Sequence, residues 1–261
     1  APMSGPTESY RKVHYELRPA KQVERHMLVD GLMLLSAGGF PIRDYQYTGM
    51  GSVYYVDFAL FHKVLGIQRM LSVEYSHRVQ KRARFNVPFR SVEVRMGRIG
   101  DHITALSPDV NHLLWLDYDS ILSSEHLQDV ALAASALPAG SVLLVTVDTE
   151  PPDGDDPRDW REYFMSVAGQ YLRPNPTAIQ FARSRLPSIS ATALMGAMQE
   201  GIAGRGSMAY LPLFQFEYAD GHRMLTIGGM LGGGAEKRRV RQPGDGAPGE
   251  IPAISLALGG L

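Results

Sequence analysis

Gly49 and Gly51 stand in the stretch Gln46-Tyr47-Thr48-Gly49-Met50-Gly51-Ser52, between a short strand pattern and a helix pattern. Two glycines at a strand-to-helix turn let the backbone come close to a ligand. Roughly 20 residues later Glu74 closes a second strand pattern, where a carboxylate can accept both hydroxyls of a ribose diol. These residue types at this spacing describe a site for an adenosine-bearing molecule. Further acids close later strand patterns: Asp101 after Gly97-Arg98-Ile99-Gly100, Asp117 and Asp119 around Tyr118, and Asp148.

Asp117-Tyr118-Asp119 is the constellation best suited to chemistry. Two carboxylates flanking an aromatic ring at the end of a buried strand could orient a substrate hydroxyl and take its proton, provided burial lifts the pKa. Capping of the next helix together with a core tyrosine is the plainer use of the same three residues. Asp117, Asp119, Asp148 and Glu150 could together hold a magnesium ion, though no spacing demands it. The eight histidines have no paired zinc spacing, so no metal ligand is assigned.

The elements that must position these residues alternate. Pro19 suits the first turn of a helix running from Ala20 to about Leu35, with Val23, Met27, Leu28, Leu32 and Leu35 as its apolar stripe and Gly38-Gly39 as its stop. Lys21 and Arg25 fall one turn apart on what reads as an exposed face. Gln46 to Thr48 is a short strand, Val53 to Leu65 an amphipathic helix capped by Gly66, and Met70 to Val73 a buried strand. A basic helix over Ser76 to Phe85 precedes a strand over Val92 to Met96. Leu113 to Leu116 is continuously apolar, as a central parallel strand should be. A helix through Leu127 to Leu137 leads to the strand Val142 to Val147, and helical patterns return over Asp159 to Leu172 and Pro187 to Ile202. Tyr210 to Tyr218, a turn at Asp220-Gly221, and Met224 to Ile227 form a hairpin.

Five strand–helix alternations predict an α/β fold: a doubly wound, Rossmann-like, mostly parallel sheet with a C-terminal antiparallel hairpin. In such sheets ligands bind beyond the carboxyl ends of the strands, where each acid named above would sit. The expected organisation is a flexible start over residues 1–9, one domain over 10–231, and a loosely ordered Gly/Pro-rich tail over 232–261 with a basic cluster at Lys237 to Arg241.

Composition narrows the class. A hydrophobic share of 44% and a charged share of 20% describe an ordinary globular protein, and no cysteine is present for disulfides or thiolate chemistry. The apolar runs have strand length and fall far short of the about 20 residues that cross a bilayer, so a cytoplasmic location without membrane insertion is expected. Net charge is −1, yet the stretch from Arg78 to Arg98 is locally basic and carries Phe85 and Phe89. It could track a phosphate backbone with stacked bases, or serve as a solvated helix face. Oligomeric state is open.

A parallel sheet finished by an antiparallel hairpin resembles the class I S-adenosylmethionine-dependent methyltransferases. Within that fold, Arg18-Pro19-Ala20-Lys21 with Glu24-Arg25, the block Tyr47 through Ile67, and Trp115 through Asp119 resemble a bacterial O-methyltransferase family, over about residues 10 to 230. The resemblance implies S-adenosylmethionine as cofactor. It places Tyr47, Gly49, Gly51 and Ser52 in the turn against the methionine part, Glu74 on the ribose, and Asp101 with Gly100 and His102 at the adenine edge. Asp117 would face the sulfonium, Asp119 would lie near the reacting centre, and Tyr118 would shape the pocket. Lys21 and Arg25 could close over the cofactor carboxylate. The turn departs from the usual pattern, with Tyr47 where an acid is common and Val53 in place of a third glycine.

The expected activity is methyl transfer to an oxygen of a small molecule, a nucleotide or RNA. The altered turn leaves a second reading, a non-catalytic module binding an adenosine-containing ligand. A nicotinamide oxidoreductase would need a fuller Gly-x-Gly-x-x-Gly and a sixth parallel strand, and the hairpin argues against it.

Overall fold

The computed structural model describes residues 18–51, 53–172, 176–241 and 254–257. Its strands are β1 (Gln46–Met50), β2 (Arg69–Glu74), β3 (Val92–Met96), β4 (His112–Ile121), β5 (Val142–Asp148), β6 (Ala209–Ala219), β7 (Arg223–Gly232) and β8 (Ile254–Ala257). Its helices are α1 (Pro19–Ala37), α2 (Val56–Leu65), α3 (Gln80–Phe85), α4 (Ile99–Ile103), α5 (Ser124–Ala136), α6 (Pro157–Ala168), α7 (Leu186–Ile202) and α8 (Gly234–Arg241).

The strands form one sheet in the order β3-β2-β1-β4-β5-β7-β6-β8. The first five run parallel, and β7 lies antiparallel to both β5 and β6. The order reverses between β1 and β4, so the switch point lies where the glycine turn leaves β1. This is the doubly wound sheet with a C-terminal antiparallel hairpin that the sequence pattern implies.

Period-2 alternation splits the apolar residues between two cores. Leu114, Leu116, Tyr118, Leu143, Val145 and Val147 pack with residues of α5, α6 and α7 on one face. Tyr47, Trp115, Leu113, Leu144, Phe214 and Phe216 pack with residues of α1 and α2 on the other. Gly66 ends α2 in the left-handed region at φ 74°, which a residue without Cβ adopts freely.

Four local expectations differ from the structure. Val23 is 44% exposed, whereas Lys21, Glu24 and Arg25 are 3%, 0% and 2% exposed, so the charged residues of α1 form its buried face. The stripe through Leu28, Leu32 and Leu35, continued back by three and seven residues, lands on Arg25 and Lys21. The basic helix is one short element, Gln80–Phe85, entered through a turn. Strand β4 runs on through Asp117-Tyr118-Asp119 to Ile121 instead of ending at them. The segment after Gly232, expected to be a loose tail, contains α8 and the strand β8 beside β6. Among the described residues no helix is long and apolar enough to cross a membrane.

Candidate functional site

Strand register decides whether the acids meet. Met50 of β1 pairs with Val73 of β2, Glu74 of β2 with Met96 of β3, and Gly49 with Trp115 of β4. One or two residues further along each strand stand Gly51, Glu74, Gly97 and Asp117, side by side on the carboxyl edge. The ends are also bonded in sequence: the Gly51 N–H donates to the Val73 carbonyl, and the Gly97 N–H donates to the Glu74 carbonyl at 3.1 Å.

Both turn glycines are required by the chain's approach to itself. A methyl on Gly51 would stand 2.8 Å from Glu74 Cβ and 2.9 Å from the Val73 carbonyl oxygen. One on Gly49 would stand 2.5 Å from the Tyr47 hydroxyl. Any larger residue at 51 would therefore push the turn away from Glu74. The Glu74 carboxylate, half-buried, accepts from the Ser76 N–H at 2.9 Å, which orients it at the strand end. Ser52 lies outside the described residues.

At the end of β3, Asp101 is exposed in the first turn of α4, and His102 Nε2 bonds the Met96 carbonyl at 3.1 Å. His102 thereby clamps α4 to the strand end. Gly100 faces elsewhere: a Cβ there would collide with the Asp129 carboxylate of α5. That same Asp129 accepts from the Tyr118 hydroxyl at 2.8 Å, and the Tyr118 ring stacks on His126 at 3.9 Å. Gly100 and Tyr118 thus meet the α5 layer, and Tyr118 lies on the opposite face of β4 from Asp117. Burial, then Asp129, raise the Tyr118 phenol well above its ordinary pKa. Asp119 is exposed beyond the register irregularity that follows Asp117.

Tyr47 is fully buried, edge-on to Phe58 and Phe61. The acid missing from the turn at that position is supplied from another element. Asp57, in the first turn of α2, accepts from the Tyr47 hydroxyl at 3.4 Å and from Arg25 Nε at 2.7 Å. Arg25 Nη1 is buried without a hydrogen-bond partner among the described residues.

Around Asp117 the α1 helix builds a buried ionic cluster. Lys21 Nζ donates to Asp117 Oδ1 at 2.8 Å and to the Tyr218 hydroxyl at 3.0 Å, pairs with Glu24 Oε2 at 2.9 Å, and sits 4.5 Å over the Trp115 ring. Glu24 also accepts from the Thr226 hydroxyl. Thr226 meets Thr146 at 2.7 Å, and Thr146 accepts from Trp115 Nε1 at 2.9 Å. Burial pulls the Lys21 pKa down, but Asp117, Glu24 and Tyr218 more than restore it, leaving the ammonium well above its ordinary value. Burial dominates for Glu24 and raises its carboxyl pKa despite Lys21. Asp220, from the β6–β7 turn, accepts from the Ala20 and Lys21 N–H groups at 3.2 and 2.8 Å and so anchors the start of α1.

The magnesium grouping is not assembled. Asp148 pairs with His222 at 2.8 Å, Glu150 pairs with Arg183, and Asp117 pairs with Lys21. Among the described residues no group of three or more His, Asp or Glu side chains is gathered to hold a metal. Sequence reasoning missed Asp57, Tyr218, Thr226 and Asp220, which reach the site from distant elements. Lys21 and Arg25, which the sequence reading could bring over a cofactor carboxylate, reach the site from α1 through Asp117 and Asp57.

Over residues 13–244 the sequence matches the family described as "Putative O-methyltransferase". The chain belongs to that family. A search of curated proteins returns no match. Among solved structures, Trm1 from Pyrococcus horikoshii, determined with S-adenosyl-L-methionine, aligns with a TM-score of 0.54 at 10% identity, covering 84% of this chain and 58% of that one. The O-methyltransferase TomG from Streptomyces achromogenes, determined with SAM, aligns at 0.44 and 15% identity over 86% and 94% of the two chains. Cofactor-bound Rv0187 from MTB aligns at 0.42 and 15% identity over 77% and 78%. Trm1 shares the class I methyltransferase fold with the family member described here.

Proposed function

We propose that this O-methyltransferase family member binds S-adenosylmethionine along the carboxyl edge of β1, β2, β3 and β4 and transfers its methyl group to an acceptor oxygen. The observation that carries the reading is the register that sets Gly51, Glu74 and Asp117 side by side at the switch point, within the stretch matched to the family. The residues present fit such a ligand. Glu74 offers a half-buried carboxylate to a ribose diol, Asp101 an exposed one at the adenine end, and buried Arg25 an unpartnered Nη1 for a carboxylate.

When bound, the cofactor supplies an electrophilic methyl on a sulfonium, and the protein supplies alignment, exclusion of water and proton removal. Asp117 is the acceptor-side group. Lys21 holds one of its oxygens at 2.8 Å, and in this reading the other takes the proton of an acceptor hydroxyl. Asp119, exposed two residues on, is the second carboxylate in reach of an acceptor. Tyr118 acts only from beneath, by packing β4 against α5.

Titration calorimetry tests the reading. S-adenosylmethionine and S-adenosylhomocysteine should bind and NAD should not. Glu74→Ala should weaken sulfonium-cofactor binding on the order of 10-fold or more, because two charge-assisted hydrogen bonds are lost. Preference for NAD, or an affinity indifferent to Glu74→Ala, would overturn it. The second reading, a non-catalytic adenosine-binding module, is favoured by Tyr47 standing where the turn usually carries an acid. Tight cofactor binding with no turnover on any acceptor would select it.

A further inference from the structure

Three Phe or Tyr rings are exposed among the described residues, and all three border one corner of the molecule. Tyr54 follows the glycine turn, Tyr75 follows Glu74, and Phe85 ends α3; they are 38%, 67% and 89% exposed. Every other Phe, Tyr and Trp ring among the described residues is buried or half-buried. Apolar side chains exposed singly are ordinary, whereas several gathered on one patch mark a binding surface.

The corner is held together by specific bonds. The Tyr55 hydroxyl donates to the Ala83 carbonyl at 2.8 Å, and Asn86 Nδ2 donates to the Val53 carbonyl at 2.8 Å. These fix α3 against the segment that follows the glycine turn. Val79 and Ala83 point inward, so Lys81, Arg84 and Phe85 share the outward side of α3. Charge accumulates on the same corner. From Tyr75 to Arg98 the sequence carries six arginines and one lysine against a single acid, Glu93, in a chain of net charge −1. The Arg98 guanidinium lies 5.8 Å from the Tyr75 ring and pairs with Glu125 of α5 at 2.7 Å, which leaves Arg78, Lys81 and Arg84 as the cations that face outward around the rings.

We infer that this corner docks a single-stranded nucleic acid. A row of cations calls for a polyanion, and exposed rings among those cations call for flat, unpaired bases to stack on them. A duplex offers phosphates but hides its base faces, and so satisfies only half of the surface. Tyr75 adjoins Glu74, so a docked strand would pass the carboxyl edge. That such a strand supplies the acceptor oxygen rests on the methyl-transfer reading, whereas docking itself does not.

Fluorescence anisotropy with labelled 12-nucleotide RNA and DNA strands, the matching duplex, and sedimentation with phosphatidylserine vesicles tests this on the full chain. Either single strand should bind in roughly the micromolar range and become at least about tenfold weaker between about 50 and 200 mM salt. Lys81→Glu with Arg84→Glu should weaken binding about tenfold or more, and Phe85→Ala about fivefold or more. Both variants change exposed side chains, so their melting curves and their calorimetric binding of S-adenosylhomocysteine should match the parent. Retained cofactor binding with strand binding lost supports docking. Cofactor binding with no strand binding in the parent overturns docking and leaves the cofactor reading standing. Strand binding without cofactor binding supports docking and sinks the cofactor reading. Duplex bound as tightly as single strand, or vesicles bound in place of strands, overturns the inference.

Discussion

At Asp117 the decisive neighbour is Lys21. The lysine is buried with two carboxylates and a phenol around its ammonium. Such a cluster is a poor source of net stability, since desolvation of the charges offsets much of their attraction. Removing one partner is another matter, because the remaining charges stay buried. Lys21→Met should therefore cost about 3–5 kcal/mol in urea unfolding. Adding Glu24→Gln to Lys21→Met should recover part of that loss, since one of the two stranded carboxylates becomes neutral while its acceptor for Thr226 remains. A Lys21→Met protein as stable as the parent, or a double variant weaker than the single, would show that the cluster does not hold α1 to the sheet. The same lysine carries functional weight under the proposed mechanism, because its hydrogen bond fixes one Asp117 oxygen from the α1 side.

The segment that joins the glycine turn to α2 is controlled by Tyr55. Its φ of 51° lies in the left-handed region, where a non-glycine residue pays about 1–2 kcal/mol, yet its ring is only 1% exposed and its hydroxyl bonds α3. The buried ring holds the strained backbone in place and ties the turn to the basic helix. Tyr55→Phe should cost about 1 kcal/mol in stability and speed amide exchange in α3 more than in β4. Uniform exchange across both elements would mean that the bond does not couple them. Elements were the part of the molecule most open to reading from sequence. Leu113 to Leu116, the Gly66 cap and the Tyr210 hairpin are each set by local pattern, and each forms where that pattern places it. The faces of elements were harder. Lys21 and Arg25 read equally as a solvated face or as closing over a cofactor carboxylate, although with Glu24 their period continues the stripe of Leu28, Leu32 and Leu35. Asp117 and Tyr118 read as one constellation, although neighbours on a strand point to opposite faces. The partners that decide both cases, Asp57, Tyr218 and Asp129, come from elements distant in the chain and leave no local signature.

For the molecule as a whole, the two faces of the sheet have opposite electrostatic characters. The α1 face buries charges in pairs, while the α5 face buries neutral polar groups, and His126 is the one most exposed to pH. Its ring lies under Tyr118, its Nδ1 is buried without a partner among the described residues, and burial lowers its pKa to about 4 against the small opposing charge of Asp119. His112, also buried, is shifted down in the same direction. A folded pKa below the ordinary 6.5 means the unfolded chain takes up the proton first as pH falls. Stability from this group is therefore complete above about 6.5 and drains away down to about 4. From pH 7 to 5 the loss traceable to His126 should be about 2 kcal/mol. His126→Phe keeps a ring to stack on Tyr118 and removes the titration. Urea unfolding at the two pH values should show the variant losing about 2 kcal/mol less than the parent over that interval, with the loss from His112 common to both. Parallel losses in the two proteins would show that the ring beneath Tyr118 does not carry the acid sensitivity of this fold.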